Sequence, residues 1–427
     1  MTHDAPRSES PNRDKWAYAT IALALTIIAV QIAAGIGNGE GLTWDFANYY
    51  DAGHKVAAGE LATLYDPSAA IEGRPPQGRM AYLGPPLSAV LFVPLAWLTP
   101  QDALIAFKIE NAVATVLAVA LLFWCHRRAG AASFGSARAF AAVFCLAAAT
   151  FQPFWEVYHL GGQATPTSFL ALAIGLCCYV HGRDFPAAVS VVLAVAIKPG
   201  FAPALVVMAV LAGRRFIACA AATGLLLAAV SILWSGWPVH AAFLERLAAR
   251  TPKVWPFNSS LTVAFDNLRA MPNPPVDPSI ASRLALAIRT AAAGLLIVVM
   301  AVHRKSASRG NPRRHFDMVI AMASCLLFLP VVWEHYLALL FIPLAYALVV
   351  CPRLPRRAQY LLAAVFVVSM TQTVQFTAWL DSIIYVNTAP ELIAVGLFKS
   401  LPLALSMILL IAYGSQLAVA YQGPRDR

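Results

Sequence analysis

Long apolar runs alternate with short polar connections along this chain, the pattern of a protein that crosses a membrane many times. The stretch from Trp16 to Ile36 holds no charged residue, and a helix of this length crosses about 30 Å of hydrocarbon. It is too long for a signal-peptide core and lacks a convincing cleavage site, so we predict an uncleaved first span. Further apolar segments lie at 82–99, 104–124, 137–154, 165–181, 186–212, 216–236, 284–302, 316–332, 335–351, 359–380 and 393–415. The pattern predicts an all-α polytopic membrane protein with about 12 transmembrane helices.

Basic residues close to the spans set the predicted orientation, because cytoplasmic loops are enriched in Lys and Arg. They cluster at Arg214-Arg215, 303–314, 353–357 and 425–427. With these clusters and both termini in the cytoplasm, four connections face outward. The large ones are 37–81 and 237–283, which are the first and fourth outer loops when every apolar segment crosses. The outward connections are 37–81, 237–283, the turn Trp333–His335 and 381–392.

One part of the chain admits two arrangements. If 82–99 and 104–124 both cross, Arg127, Arg128 and Arg138 lie outside, against the positive-inside rule. In the alternative, a re-entrant segment begins at Pro85-Pro86, and 186–212 is a hairpin that turns at 198–200. Both arrangements leave the four outward connections unchanged.

Composition narrows the class of protein further. Only 12% of the residues are charged and 59% are hydrophobic, whereas a soluble domain carries about 25% charged residues. The net charge of +10 is explained by the cytoplasmic loops, so a nucleic-acid partner is not expected. The loops 37–81 and 237–283 contain no cysteine, which excludes disulfides there, and no Cys/His spacing resembles a zinc site.

The loop 37–81 is the most polar of the predicted outer loops. Its acidic residues, six of the 21 in the chain, are Glu40, Asp45, Asp51, Glu60, Asp66 and Glu72. Within it, residues 44–58 have the periodicity of a short amphipathic helix. We predict that this helix lies at the lipid surface with its aromatic side chains in the interface.

Several motifs of the chain resemble those of glycosyltransferase family 87, which includes bacterial mannosyltransferases that use polyprenyl-phosphate mannose. They occur in the family's order from about residue 16 to residue 415. The motifs are Asp45-Phe46-Ala47-Asn48-Tyr49-Tyr50-Asp51-Ala52-Gly53, Leu64-Tyr65-Asp66, Tyr82-Leu83-Gly84-Pro85-Pro86-Leu87, Gly162-Gln163, Ala196-Ile197-Lys198-Pro199, Asn258-Ser259-Ser260-Leu261 and Trp333-Glu334-His335-Tyr336.

The resemblance implies a GT-C fold and an inverting transfer of a hexose, with mannose the best guess, on the outer face. It implies a catalytic acid early in the first outer loop, which makes Asp45 the candidate general base. An alternative role for Asp45 is the N-cap of the helix that follows. The family's second large outer loop follows the seventh span, which favours the arrangement in which 82–99 and 104–124 both cross.

Seven further residues are candidates for substrate binding. His335 would contact the lipid phosphate or orient the acceptor, or else belong to an interfacial aromatic belt. Lys198 interrupts an apolar run, so it needs a partner, an exit to the interface or a wet cavity. Asn258 and Ser259 would face a sugar or phosphate, or else cap a helix. The resemblance adds Tyr49, Tyr50 and Asp51, although Asp51 also fits a solvated helix face.

No cofactor is predicted, since the chain has no dinucleotide-binding or phosphate-binding glycine motif. Asp45 and Asp51 do not form a D-x-D pair, and metal dependence stays open. The expected partners are a polyprenyl-phosphate sugar donor and a lipid, glycan or glycolipid acceptor. A secondary transporter or a lipid or polysaccharide flippase is the competing class, although the sequence lacks the internal repeat that is common there. A polymer ligase that uses a pyrophosphate-linked donor is the third.

The expected division of the chain follows from these segments. We predict cytoplasmic tails at 1–15 and 416–427, and a seven-helix membrane module over 16–236 that includes the loop 37–81. The second large outer loop then covers 237–283, and the C-terminal transmembrane helices cover 284–415.

Overall fold

The fold is that of a computed structural model, which describes residues 11–37, 45–66, 82–156, 162–248, 259–269, 274–306, 311–329, 332–371 and 389–421. Asn258 and residues 381–388 of the predicted outer connection 381–392 lie outside the described residues. Within the described ranges the chain is helical and contains no strand.

The α-helices are numbered in chain order. They are α1 Pro11–Gly37, α2 Asp45–Ala57, α3 Pro100–Phe134, α4 Ala137–Thr150, α5 Thr165–Val180, α6 Asp184–Ile197, α7 Ala202–Ala212, α8 Arg214–Ser235, α9 Trp237–Ala248, α10 Val263–Arg269, α11 Pro278–Ser306, α12 Asn311–Phe328, α13 Phe341–Val350, α14 Arg356–Thr371 and α15 Ala389–Ala420. Short 3₁₀ helices occupy Leu61–Thr63, Pro86–Trp97, Gln152–Phe154, Pro199–Phe201, Glu334–Leu340 and Cys351–Arg353.

Six helices of the described residues are long and apolar enough to cross a membrane. They are Asp14–Gly37, Pro100–Phe134, Arg214–Ser235, Pro278–Val299, Glu334–Arg353 and Ile393–Ala420. Five shorter apolar helices lie beside them, at Pro86–Trp97, Ala137–Thr150, Thr165–Val180, Asp184–Ile197 and Pro199–Ala212. The prediction of an all-α polytopic membrane protein is therefore confirmed.

Helix α1 defines two ends of the bundle. Near its start, Asp14 pairs with Arg138 at the beginning of α4. Near its finish, the Gly35 carbonyl accepts a 2.7 Å hydrogen bond from Lys108 Nζ of α3. At about 1.5 Å per residue, Asp14 and Gly35 are about 32 Å apart along the helix, which matches the roughly 30 Å of a hydrocarbon core. Asp14 and Lys108 therefore mark opposite ends.

The end of the bundle that contains Asp14 is rich in arginine, and we call it the basic end. Besides Arg138 it holds Arg314, which pairs with Asp184 at 2.7 Å. It also holds Arg353, which donates to the Ala420 carbonyl near the finish of α15. The opposite end, where α1 finishes and α2 begins, we call the site end.

The expectation that 82–99 crosses the membrane is wrong. The Tyr82 ring lies 6.3 Å from the Tyr49 ring of α2, and the Leu98 carbonyl accepts a 2.9 Å hydrogen bond from Tyr50 Oη of the same helix. Because both ends of the segment contact adjacent residues of α2, it enters and leaves at the site end. Arg138 accordingly lies beside Asp14 at the basic end, on the same side as the other arginines, and the conflict with the positive-inside rule disappears.

Residues 186–212 form two helices that meet at the site end. Lys198 has an extended backbone (φ −136°, ψ 93°) between α6 and the 3₁₀ turn Pro199–Phe201. The chain then returns to the basic end, where the Phe216 ring lies 6.3 Å from the Tyr179 ring beside Arg314. The re-entrant alternative of the sequence analysis therefore describes both 82–99 and 186–212, and the favoured arrangement is corrected.

The helix predicted over 44–58 exists as α2, but its aromatic face does not meet lipid. Phe46 is fully buried and Tyr50 nearly so. Phe46 packs 5.9 Å from the Phe107 ring of α3. The expected interfacial placement of these aromatics is wrong because the 3₁₀ helix Pro86–Trp97 and α3 cover that face. As a result, α2 is fixed to the protein at the site end.

Contact between α2 and the helix Pro86–Trp97 depends on Gly53. A Cβ atom at this position would lie 2.2 Å from the Phe92 carbonyl oxygen. Such an approach is far inside van der Waals distance, and the nearest atoms that the Cβ would meet belong to the Phe92 backbone. Only glycine lets the two helices touch here.

We expect Gly53→Ala to separate α2 from the 3₁₀ helix Pro86–Trp97 and to lower the thermal unfolding midpoint of the detergent-solubilised protein. Overpacking of this kind costs about 1–3 kcal/mol. Gly224→Ala in α8 is the control, since a Cβ atom there meets nothing within 4 Å and alanine favours helix. A Gly53→Ala midpoint equal to that of the control would contradict the tight contact.

Candidate functional site

Gln163 links two charged residues at the site end. Its Nε2 donates to the Asp45 carboxylate at the start of α2. Its Oε1 accepts from Tyr49 Oη at 3.2 Å and from Lys198 Nζ at 3.0 Å. Asp45 and Tyr49 are four residues apart, so they share one face of α2. Three separate segments of the chain thus converge on one buried amide.

The backbone before Gln163 requires glycine. Gly162 has φ +83°, in the left-handed region that residues with a side chain rarely adopt. A Cβ atom at this position would also lie 2.8 Å from the Phe107 ring. Phe107 is the residue of α3 that packs on Phe46. The Gly162 turn therefore sets Gln163 directly against the start of α2.

Lys198 is a buried ammonium ion held by acceptors from two other segments. Besides Gln163, its Nζ donates to Thr165 Oγ1 at 2.6 Å and lies 3.3 Å from His335 Nε2. It also lies 4.5 Å from the centroid of the Tyr336 ring, which adds a cation–π contact. Lys198 is 9% exposed, so its partners at the site end replace water. Of the alternatives considered for Lys198, the structure shows the partner.

The contact with Lys198 fixes the hydrogen placement on His335. An ammonium group only donates, so Nε2 of His335 must accept, and the ring proton of a neutral imidazole then sits on Nδ1. His335 is 5% exposed and lies in the 3₁₀ helix Glu334–Leu340. It is therefore buried at the site and is not a lipid-facing belt residue.

Tyr49 is held in its protonated form. Burial and then the neighbouring Asp45 carboxylate raise the pKa of Tyr49 well above its ordinary value. A protonated phenol donates its hydrogen to Gln163 Oε1. Two donors on this oxygen, Tyr49 and Lys198, leave Nε2 as the atom that faces Asp45.

Two predicted substrate-binding residues of α2 contact other parts of the protein. Tyr50 Oη donates to the Leu98 carbonyl at 2.9 Å, and its ring packs 4.5 Å from the His54 ring. Asp51 pairs with Lys55 at 2.9 Å, one turn further along α2. Tyr50 and Asp51 therefore lie on the packing faces of α2, away from Gln163. The solvated face considered for Asp51 is wrong, since the residue is buried.

Ser259 approaches the site through the backbone. Its backbone amide donates a 2.6 Å hydrogen bond to the carbonyl of Val332, three residues before His335. Ser259 itself is fully buried. Nearby, Arg289 of α11 binds Thr262 and Asp266, the latter at 2.8 Å. This ion pair joins α10 to α11, and the Ser259 bond holds the residues before α10 beside the turn Trp333–His335.

A second group of buried charges lies behind His335. Lys399 of α15 is 4.0 Å from Glu334 Oε1, and all three members of the group, Glu156, Glu334 and Lys399, are buried. Burial and then the adjacent Glu334 carboxylate raise the pKa of Glu156 well above its ordinary value, while Lys399 opposes this. When one of the two acids keeps its proton, the net charge of the two acids and the lysine together is close to zero.

Sequence reasoning missed Thr165, Glu156 and Lys399 and gave Gln163 only a packing role. Lys399 carried a usable signal, because it is a charge inside the apolar segment 393–415. Glu156 carried a weaker one at the edge of 137–154. Neither Thr165 nor Gln163 is unusual in composition or spacing, so only the fold reveals that they meet Lys198.

The arrangement belongs to a helical membrane protein whose buried charges converge at one end of the bundle. Comparison with known proteins gives the class. Glycosyltransferase family 87 matches residues 82–330, which is more than half of the 427 residues. The chain therefore belongs to glycosyltransferase family 87 and is a membrane glycosyltransferase. No curated protein and no solved structure matches it.

The matched range covers Gln163, Lys198, Ser259 and Arg289 but not Asp45 or His335. The structure nevertheless joins the three parts, because Gln163 binds Asp45 and Lys198 contacts His335. As a glycosyltransferase, the protein acts on a sugar donor and transfers to a glycan or lipid acceptor.

The proton on Glu156 predicts a pH dependence of stability. Unfolded Glu156 loses its proton near pH 4.5, whereas the folded protein holds it to a higher pH. Folded protein then binds more protons than unfolded protein, so the free energy of unfolding falls as pH rises above 4.5. Each unit of pKa difference corresponds to about 1.4 kcal/mol.

We expect Glu156→Gln to remove this dependence. Thermal unfolding midpoints measured from acidic to mildly alkaline pH should fall less steeply in the variant than in the wild type. Glu60→Gln, at an exposed position, should leave the wild-type slope unchanged. Parallel curves for Glu156→Gln and the wild type would contradict a proton held on Glu156.

Proposed function

We propose that the protein transfers a hexose, with mannose the best candidate, from a polyprenyl-phosphate donor to a lipid, glycan or glycolipid acceptor. The reaction takes place at the site end, on the outer face of the plasma (inner) membrane, and inverts the anomeric carbon. The observation that carries the proposal is the convergence of Asp45, Gln163, Lys198 and His335 from four segments at this end.

Asp45 acts as the general base. The acceptor hydroxyl gives its proton to the Asp45 carboxylate while its oxygen attacks the anomeric carbon. The bond between that carbon and the phosphate oxygen breaks, and polyprenyl phosphate leaves with the electron pair. A phosphate leaving group needs little acid catalysis, and direct displacement inverts the configuration.

Lys198 and His335 bind the phosphate group of the donor. The Lys198 ammonium brings a positive charge to a site of low polarity, where it stabilises the charge that develops on the leaving phosphate. His335 presents an N–H on Nδ1, since its Nε2 faces Lys198. Ser259, which is bonded to Val332 beside the turn Trp333–His335, adds a hydroxyl group for the phosphate or the sugar.

The outer-face location rests on the distribution of arginine. Arg138, Arg314 and Arg353 mark the basic end, and basic residues face the cytoplasm. The site end is then the outer one. In this orientation α1 starts and α15 finishes on the cytoplasmic side, and we propose the same side for both chain termini.

We expect Asp45→Asn to lower kcat for transfer from labelled polyprenyl-phosphate mannose in membranes by about 10²–10⁴-fold, the usual contribution of a general base. The asparagine keeps the size of the side chain but cannot take the proton. Asp102→Asn is the control, since Asp102 is exposed at the start of α3, where its carboxylate accepts a hydrogen bond from Thr99 Oγ1.

Full activity of Asp45→Asn would remove the base from the mechanism while leaving the family assignment intact. A wild-type protein that accepts no polyprenyl-phosphate hexose would exclude the proposed donor class.

Sidedness has its own test in a variant whose seven cysteines are replaced. We expect Glu60→Cys at the site end to react with a membrane-impermeant maleimide in intact cells. Arg127→Cys at the basic end should react only after permeabilisation. Both positions are exposed in the fold, so access to the reagent depends on the membrane alone. The opposite labelling pattern would place the site in the cytoplasm.

A further inference from the structure

We propose that Gln163 is a positioning residue that fixes the Asp45 carboxylate in its ionised form and couples it to the Lys198 ammonium through one side-chain amide. The inference rests on the proposed role of Asp45 as the base and adds a residue that acts through it. Gln163 transfers no proton itself.

The polarity of the amide is imposed by its neighbours. Lys198 can only donate, and it lies 3.0 Å from Oε1. Tyr49 Oη donates to the same oxygen at 3.2 Å. With Oε1 committed to two donors, Nε2 points to Asp45 and donates to it. A flipped amide would set an N–H against the ammonium and an oxygen against the carboxylate, which repel on both sides.

The amide thereby connects charges of opposite sign. The positive Lys198 pulls electron density toward Oε1, which makes the N–H that faces Asp45 a stronger donor, because hydrogen bonds in a chain polarise one another. A hydrogen bond to a carboxylate favours its ionised form. A general base has to be ionised before it accepts the proton of the acceptor hydroxyl.

Rigid supports on each side keep the amide in this position. Gln163 is 5% exposed and follows the Gly162 turn, which packs against Phe107. Lys198 is fixed on its other side by Thr165 and by the Tyr336 ring. A small change at Gln163 is therefore passed to Asp45 and is not absorbed by a moving side chain.

Other ionisable groups near Asp45 also influence its proton affinity. Tyr49 lies on the same helix and next to Asp45, and Tyr82 and Tyr336 approach Tyr49 from the segment 82–99 and from the turn after Trp333. His335 lies beyond Lys198. The tyrosine hydroxyls and the neutral imidazole carry no net charge. Gln163 therefore connects the base to the positive charge of Lys198.

The test measures the protonation of Asp45 without requiring sugar transfer. Dicyclohexylcarbodiimide modifies protonated carboxyl groups in apolar surroundings, and mass spectrometry of peptides identifies the modified residue. The full-length protein in lipid nanodiscs is labelled across a pH series, and the midpoint of Asp45 labelling is read for each variant.

We expect the midpoint to rise by about one pH unit or more in Gln163→Glu, which sets a second carboxylate beside Asp45. Gln163→Met, which keeps the length of the side chain but removes the hydrogen bond, should raise it as well. Gln359→Glu in α14 is the matched control and should keep the wild-type midpoint, because Gln359 binds the Leu354 carbonyl far along the chain from α2.

A midpoint equal to that of the wild type in both Gln163 variants would overturn the proposal, even if the variants unfold at a lower temperature. Because labelling needs no substrate, this outcome is distinct from a failure of the proposed reaction. A wild-type protein that transfers no hexose from any polyprenyl-phosphate donor would reject the proposed donor class. The labelling result would still test the role of Gln163.

Discussion

Lys198 brings a full positive charge into the apolar interior, where an ammonium ion without partners costs several kcal/mol. Much of the site end is arranged to meet this demand. Thr165 begins α5, Gln163 lies just before that helix, and His335 comes from the turn before α13. The break between α6 and α7 exists at the residue that needs these acceptors. Gln163 then extends the network to Asp45, so a structural requirement of Lys198 also organises the candidate base.

The rest of the bundle keeps this network in place. Helix α2 is held by Gly53 against Phe92 and by Phe46 against Phe107, which fixes Asp45 relative to Gln163. At the other side, Glu334 joins the turn that contains His335 to Lys399 of α15. Charges inside the protein therefore occur in connected groups, as expected where burial makes a single charge unfavourable. These groups lie close together at the end opposite the arginine-rich one.

The sequence predicted the helical membrane class, the family, helix α2 and several residues that meet in the candidate site. Apolar length and basic flanks are local properties, so the first span and the common end of Arg314 and Arg353 followed from them. The path of 82–99 did not, because an apolar run of this length suits a crossing and a re-entrant segment equally. Only the contacts of Tyr82 and Leu98 with neighbouring residues of α2 distinguish the two. Gln163 has the same limitation, since its partners are 114 and 35 residues away.

In the proposed mechanism Asp45 and Lys198 act as one unit. A double-mutant cycle measures this coupling, with transfer rates from labelled polyprenyl-phosphate mannose determined for Asp45→Asn, Lys198→Met and the double variant. Residues that act together give strongly non-additive effects, so we predict that the double variant is scarcely slower than the slower single variant. A double variant whose loss equals the product of the two single losses would show that the two residues act independently.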